Sequence, residues 1–334
     1  MLQETVKAEM IEITYREAVK QAIRDAIKRD ERVFLMGEDV GRYGGCYAVS
    51  KGLLAEFGPE KIRDTPLSES GFTGAGIGAA MAGMRPVVEI MTINFALLAL
   101  DAIINMAAKI PFMSGGQFSL PLTLRMPGGV ARQLGAQHSQ RLEHTLMNVP
   151  GLRIVTPATP QDAYWQLRQA INSDEPIIVL EHELLYFDQG PLDETAAAPP
   201  MHAAALRRGG DDLSIVAYSR MTHLAEQAGA QLANEGVQAD VIDLRSLSPI
   251  DWDTCARSVA KTGRLLIVTE DCRFAGAGAE IAASLTERCF GQLAAAPVRL
   301  SGLDIPTPFN GTLEASSIPR VADIVAAGHK LTGK

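Results

Sequence analysis

The chain has 334 residues, 47% of them hydrophobic and 21% charged, with a net charge of -8 at pH 7. A single core rarely grows beyond about 250 residues, so two compact domains are expected, and the composition excludes a disordered or fibrous chain. The negative balance, with no helix face rich in lysine and arginine, argues against nucleic acid as a partner.

The opening MLQETVKAEMIEI has neither the apolar core nor the cleavage site of a secretion signal, so a cytoplasmic location is expected. Thr14 and Glu17 form a capping-box pattern, and Ala18, Val19, Ala22, Ile23, Ala26 and Ile27 recur at helical spacing, which starts the first helix. RVFLM (residues 32–36) then ends at the polar tip Gly37-Glu38-Asp39, and RPVVEIM, PLTLRMP, GLRIVTP and PIIVLEH repeat that pattern. Such runs predict parallel strands covered on both faces.

Between the first two of these strands lies DTPLSESGFTGAGIGAAMAGMRP (residues 64–86), in which Glu69 precedes a run of small residues. Gly74, Gly76 and Ala79 meet the relaxed G-x-G-x-x-A spacing of a NAD-linked dehydrogenase, but that fingerprint needs a strand directly before it. The spacing of Gly74 with Gly78 and Ala75 with Ala79 predicts instead a helix whose bare face admits a second helix. Close packing of this kind would bury Glu69 at the helix start.

INFALLALDAIINMAAKI (residues 93–110) is interrupted by Asn94, Asp101, Asn105 and Lys109, which argues against a membrane span and predicts a buried helix. Residues 113–140 form a long glycine-bearing region ending near His138, and loops of that length in a compact domain are usually functional. Within DQGPLDETAAAPPMHAA, residues 191–204 are read as a linker dividing a first domain, 1–190, from a second, 205–334. DLSIVAYS, VQADVIDLRS, RLLIVTED and PVRLSG alternate with helical segments in that second α/β unit. Cys46, Cys255, Cys272 and Cys289 are widely spaced with no CxxC pair, which predicts four buried thiols rather than disulfides or a zinc site.

Taken together, DTPLSESGFTGAGIGAAMAGMRPVVEIMTINF, AQHSQ, PGLRIVTPATPQDA and DIPTPFNGTLE resemble, in order and over nearly the whole chain, the β subunit of the thiamine-diphosphate-dependent 2-oxo acid dehydrogenases. The resemblance implies an α/β fold with mainly parallel sheets: a pyrimidine-binding domain followed by a transketolase-type C-terminal domain. It implies Glu69 as the catalytic glutamate on the cofactor pyrimidine, Phe95 as the aromatic stacked on that ring, and Glu38 as a further acid close to the cofactor. His138 is implied as the active-site histidine on the substrate side, serving acyl transfer to a lipoyl group. Arg125, Arg132 and Arg141 flank the loop of His138 and are expected to pair with acids across a subunit interface, a substrate carboxylate being the alternative.

No GDG motif is present, so magnesium and the diphosphate are expected to be held by a partner α subunit in an α2β2 heterotetramer. Further implications are potassium at backbone carbonyls near Leu122, Ala170, Ile171 and Ser173, and docking of the peripheral-subunit-binding domain of a lipoyl acyltransferase, with Asp304, Glu314 and Asp323 as candidate acids. Phe112-Met113-Ser114-Gly115-Gly116 looks more like the pyruvate enzymes than their branched-chain relatives. Acetoin dehydrogenases, branched-chain enzymes and an inactive docking subunit are the alternatives.

Overall fold

The structure, a computed structural model, describes residues 10–130 and 132–334. Residues 1–9, on which most of the cytoplasmic expectation rests, lie outside the described residues.

Strand β1 (Ile11–Thr14) runs into helix α1 (Tyr15–Arg29), and the capping box is present: the Thr14 hydroxyl accepts the Glu17 N–H at 3.2 Å while the Glu17 carboxylate accepts the Thr14 N–H at 3.2 Å. The elements β2 (Val33–Gly37), α2 (Leu53–Phe57), β3 (Ile62–Asp64), α3 (Glu69–Met81) and β4 (Arg85–Glu89) follow. After a helical run come α4 (Ile110–Met113), β5 (Thr123–Gly128), α5 (Glu143–Met147), β6 (Arg153–Val155), α6 (Pro160–Asn172), β7 (Ile177–His182) and β8 (Gln189–Leu192). The second unit contains β9 (Ala205–Arg208), β10 (Leu213–Ala217), α7 (Arg220–Asn234), β11 (Ala239–Asp243), β12 (Ser246–Ser248), α8 (Trp252–Thr262), β13 (Leu265–Cys272), α9 (Ala277–Cys289), β14 (Val298–Gly302), α10 (Gly311–Ser316) and α11 (Val321–Thr332).

The larger sheet has the order β12-β6-β7-β5-β4-β2-β3 and is parallel apart from β12. Strands β2, β5 and β7 are buried at every residue, as their unbroken apolar runs predict. Alternate residues serve opposite cores: Val33 and Leu35 join the core of α1 and α6, whereas Phe34 and Met36 join that of α3. The α3 core continues through Leu247, Cys255 and Val259 of the second unit. The smaller sheet has the order β14-β13-β10-β11-β9, with only β9 antiparallel.

Three expectations change. Residues 93–110 are not one buried helix. A 3-10 segment (Ile93–Ala99) and a π-helical turn (Ala102–Ala107) replace it, with a 72° bend between Ile93–Ala99 and Ala102–Met113, and Leu98 is 66% exposed. No single helix among the described residues is long and apolar enough to cross a membrane. The segment read as a linker begins inside β8, which pairs with β1, and its later part is strapped to α6. Trp165 Nε1 donates to the Asp193 carbonyl at 3.2 Å, and Gln166 Nε2 to that of Met201 at 2.7 Å. Prolines and small residues prevent a core there without preventing docking by backbone carbonyls. Finally, Cys255 and Cys289 are buried but Cys46 and Cys272 are exposed, because they fall on a loop and a strand end rather than on core-facing positions.

Candidate functional site

Strands β2, β3, β4 and β5 run parallel, and the chain leaving each at the same sheet edge carries one candidate residue. Glu38 follows β2, Glu69 follows β3, Phe95 follows β4 and His138 stands on the loop after β5. Open parallel sheets bind ligands at this edge because the connections there diverge and leave a crevice.

Glu69 opens α3 and is 6% exposed, at the end of the helix where partial positive charge favours a carboxylate. Its position depends on Gly76: a Cβ there would stand 2.5 Å from Val88 Cγ2, so only glycine lets α3 settle this closely onto β4. The face expected to receive a second helix is different. At Gly74 and Gly78 an added Cβ would meet no atom within 4 Å, so the described residues leave that face uncovered. The dinucleotide-loop alternative is excluded at the backbone, since Gly74 and Gly76 lie inside α3 with their N–H groups in the helix ladder.

Glu38 is 3% exposed, and neither carboxylate oxygen has a hydrogen-bond partner among the described residues. Burial, followed by the charges of Glu69, Asp39 and Glu89, pushes its pKa up to about 7. Glu38 is therefore poised to hold a proton near neutral pH.

On the other side of the site, Asn94 ties two segments together. Its Nδ2 donates to Thr92 Oγ1 at 2.7 Å, and its Oδ1 accepts the Gln140 N–H at 2.9 Å. The turn bearing Phe95 is thereby joined to the end of the His138 loop, and the two rings meet edge to face, with centroids 5.4 Å apart and planes at 85°. The 3-10 segment bearing Phe95 packs against α3, which brings this pair to the helix that Glu69 opens. Asn94 was visible in the TINF motif, but its bridging role depends on a partner 46 residues away.

Two of the three arginines are paired within the chain. Arg125 is fully buried on β5, where its Nε donates to Glu181 at 2.5 Å, its Nη1 to Glu89 and its Nη2 to the Tyr186 hydroxyl at 2.8 Å. Arg141 pairs with Glu143 at 2.7 Å, and Arg132 lies over the rings of Tyr47 and Phe187 at 5.9 and 5.3 Å. Arg125 needs both carboxylates because a guanidinium desolvated at a sheet centre requires opposite charge beside it, whereas Arg132 stays exposed and stacks on rings without a carboxylate partner among the described residues.

The carbonyls considered for potassium also have partners. Those of Leu122 and Ala170 accept the backbone N–H groups of Ile177 and Ser173, and those of Ile171 and Ser173 accept Arg85 Nη1 at 3.1 and 2.9 Å. Among the described residues no cluster of three or more His, Cys, Asp or Glu could hold a metal ion. Of the acids considered for docking, Glu314 is only 8% exposed and binds the Gln133 N–H, Asp304 accepts the Phe274 N–H at 2.9 Å, and Asp323 pairs with Arg320 at 2.9 Å.

Comparison with known proteins agrees with this architecture. Residues 11–189 match the transketolase pyrimidine-binding domain, and residues 202–324 match the transketolase C-terminal domain. The chain is 44% identical over 323 residues to the mitochondrial pyruvate dehydrogenase E1 component subunit beta-1 of Arabidopsis thaliana, covering 96% of this chain and 89% of that protein. It is 43% identical over 321 residues to the pyruvate dehydrogenase E1 component subunit beta of Rickettsia felis, covering 96% and 98%. A solved structure described as a split-gene transketolase, inactive beta4 tetramer, superposes with a TM-score of 0.78 at 20% identity, covering 96% of this chain and 98% of that one, which is a likeness of fold. With both domains in order and this identity over almost its full length, the chain belongs to the family of pyruvate dehydrogenase-type β subunits of the thiamine-diphosphate-dependent 2-oxo acid dehydrogenases.

Proposed function

We propose that this chain is the β subunit of a pyruvate dehydrogenase, contributing the pyrimidine half of a thiamine diphosphate site in the oxidative decarboxylation of pyruvate. The observation that carries the reading is the meeting, at one sheet edge, of the Glu38–Glu69 carboxylates with the edge-to-face pair of Phe95 and His138. Thiamine diphosphate, when bound, supplies the electron sink for carbon–carbon cleavage that no side chain provides. The residues present fit its pyrimidine end. Glu69 offers a nearly buried carboxylate to a ring nitrogen, Phe95 a half-exposed aromatic surface, and Glu38 an unpartnered carboxyl able to hold a proton at neutral pH. Glu69 would accept a hydrogen bond or a proton from that ring at its carboxylate. His138, exposed on its loop, would donate to the oxo acid and assist acyl delivery to a lipoyl group.

The diphosphate end is not provided by this chain, whose GGDD at residues 209–212 is no GDG motif. We therefore include in the proposal an α subunit that carries magnesium, an α2β2 assembly, docking to a lipoyl acyltransferase and a cytoplasmic location. A potassium ion at Leu122, Ala170, Ile171 and Ser173 would have to share two of those carbonyls with Arg85.

The test is co-expression with candidate α subunits followed by oxidation assays with pyruvate, acetoin and branched-chain oxo acids, with thiamine diphosphate and magnesium added. Pyruvate should be the preferred substrate, and Glu69→Ala should lower turnover by about 10²-fold or more with assembly intact. Full activity of that variant, or a preference for branched-chain acids, would overturn the proposal.

A further inference from the structure

The loop carrying His138 leaves β5 through Gly128 and Gly129, and the second domain grips it at three places. At its entrance the Val130 N–H donates to the Glu270 carboxylate on β13. The other Glu270 oxygen lies 2.8 Å from His182 Nε2, and because His182 Nδ1 accepts the Leu184 N–H at 3.1 Å, the ring proton sits on Nε2 and points at Glu270. At its middle, Arg132 and Gln133 adopt φ values of 62° and 58°, the left-handed region that non-glycine residues avoid. The Gln133 N–H there donates to both oxygens of Glu314, at 3.0 and 3.2 Å. At its exit Thr307 Oγ1 donates to the carbonyl of Ser139, the residue after His138, at 3.0 Å.

Backbone held in a disfavoured region persists only where its surroundings over-determine it, and such strain collects at functional sites. Thr307 and Glu314 both belong to DIPTPFNGTLE, a motif to which the cofactor site gives no role. Glu314 itself is nearly buried on α10, so its carboxylate is committed to the loop rather than to solvent or a docking partner.

We propose that Glu314, Thr307 and Glu270 are positioning residues through which the C-terminal domain sets the location of His138, so that DIPTPFNGTLE serves the active-site loop of the other domain. This rests on the reading of His138 as a substrate-side group. The second domain then contributes to catalysis without touching the cofactor.

The test uses the enzyme assembled with its α subunit and two pairs of variants, Glu314→Leu with Glu314→Gln, and Thr307→Val with Thr307→Ser. Glu314→Leu and Thr307→Val should raise amide exchange across residues 132–139 about 10-fold and lower kcat by about 10- to 100-fold, as loss of a supporting shell does. The apparent affinity for thiamine diphosphate should not change. Glu314→Gln and Thr307→Ser keep the needed acceptor and donor, and should stay within about threefold of the parent. In a His138→Ala background Glu314→Leu should add little further loss, whereas a merely structural role predicts that the two losses multiply. Unchanged exchange and kcat in Glu314→Leu, or multiplied losses in the double variant, would overturn the proposal. A fully active His138→Ala would overturn the reading of His138 alone, and amide exchange would still decide whether the clamp exists. Should Glu314→Leu fail to fold, the Thr307 pair decides the question by the same two readouts.

Discussion

Replacing Glu38 by glutamine should make the chain more stable, and the gain should grow with pH. The carboxyl's affinity for a proton rises from an ordinary pKa of 4.5 to about 7, through burial first and then the charges of Glu69, Asp39 and Glu89. Each tenfold change in proton affinity corresponds to about 1.4 kcal/mol, so ionising Glu38 in the folded chain costs about 3–4 kcal/mol. The sign follows from linkage. The folded state binds this proton more tightly than the unfolded state, so the contribution is fully present below pH 4.5 and is lost as pH rises to about 7. Glutamine keeps the shape and cannot ionise. Urea unfolding of parent and Glu38→Gln between pH 4 and pH 8 should give a stability difference that is small at the acid end and reaches about 3–4 kcal/mol in favour of the variant above neutrality. Two curves that stay parallel across that range would refute the reasoning, since they would mean that Glu38 ionises as freely in the fold as outside it.

Further substitutions probe the rest of the site. Gly76→Val would place methyl groups against Val88 and should cost about 1–3 kcal/mol by pushing α3 off β4, whereas Gly74→Ala, which faces open space, should stabilise the isolated chain by up to about 1 kcal/mol; thermal melts compare the two. Arg125→Met would strand the carboxylates of Glu89 and Glu181 in the sheet centre and should cost about 3–5 kcal/mol in urea unfolding. Phe95→Ala should weaken thiamine diphosphate binding by the assembled enzyme about 3- to 10-fold, read by cofactor titration of activity. With Arg85 already on the Ile171 and Ser173 carbonyls, potassium should raise the melting temperature of the isolated chain no more than sodium does.

Much of the molecule is legible in residue order because the signals are local. The capping box at Thr14, the unbroken apolar runs of β2, β5 and β7, and the strands of the second unit depend on neighbours a few residues away, and each forms as its pattern predicts. Short edge strands such as β1, β8, β9 and β12 escape notice because their pairing comes from distant chain rather than from their own composition. The apolar run after β4 misleads for a related reason. Its hydrophobicity is real, but the bend and the exposed Leu98 follow from what the rest of this chain covers and what it leaves open.

The candidate site divides the same way. Glu38, Glu69, Phe95 and His138 are visible one by one in their motifs, and the parallel strand pattern already places most of them at strand ends. Which charges are spent internally is a matter of three dimensions: Arg125 meets Glu181 across 56 residues, and Gln133 meets Glu314 across 181. The order of residues sets which groups exist and which element each one ends. Only folding, by removing water and bringing remote carboxylates within hydrogen-bond reach, decides which of them become structural and which stay free to act.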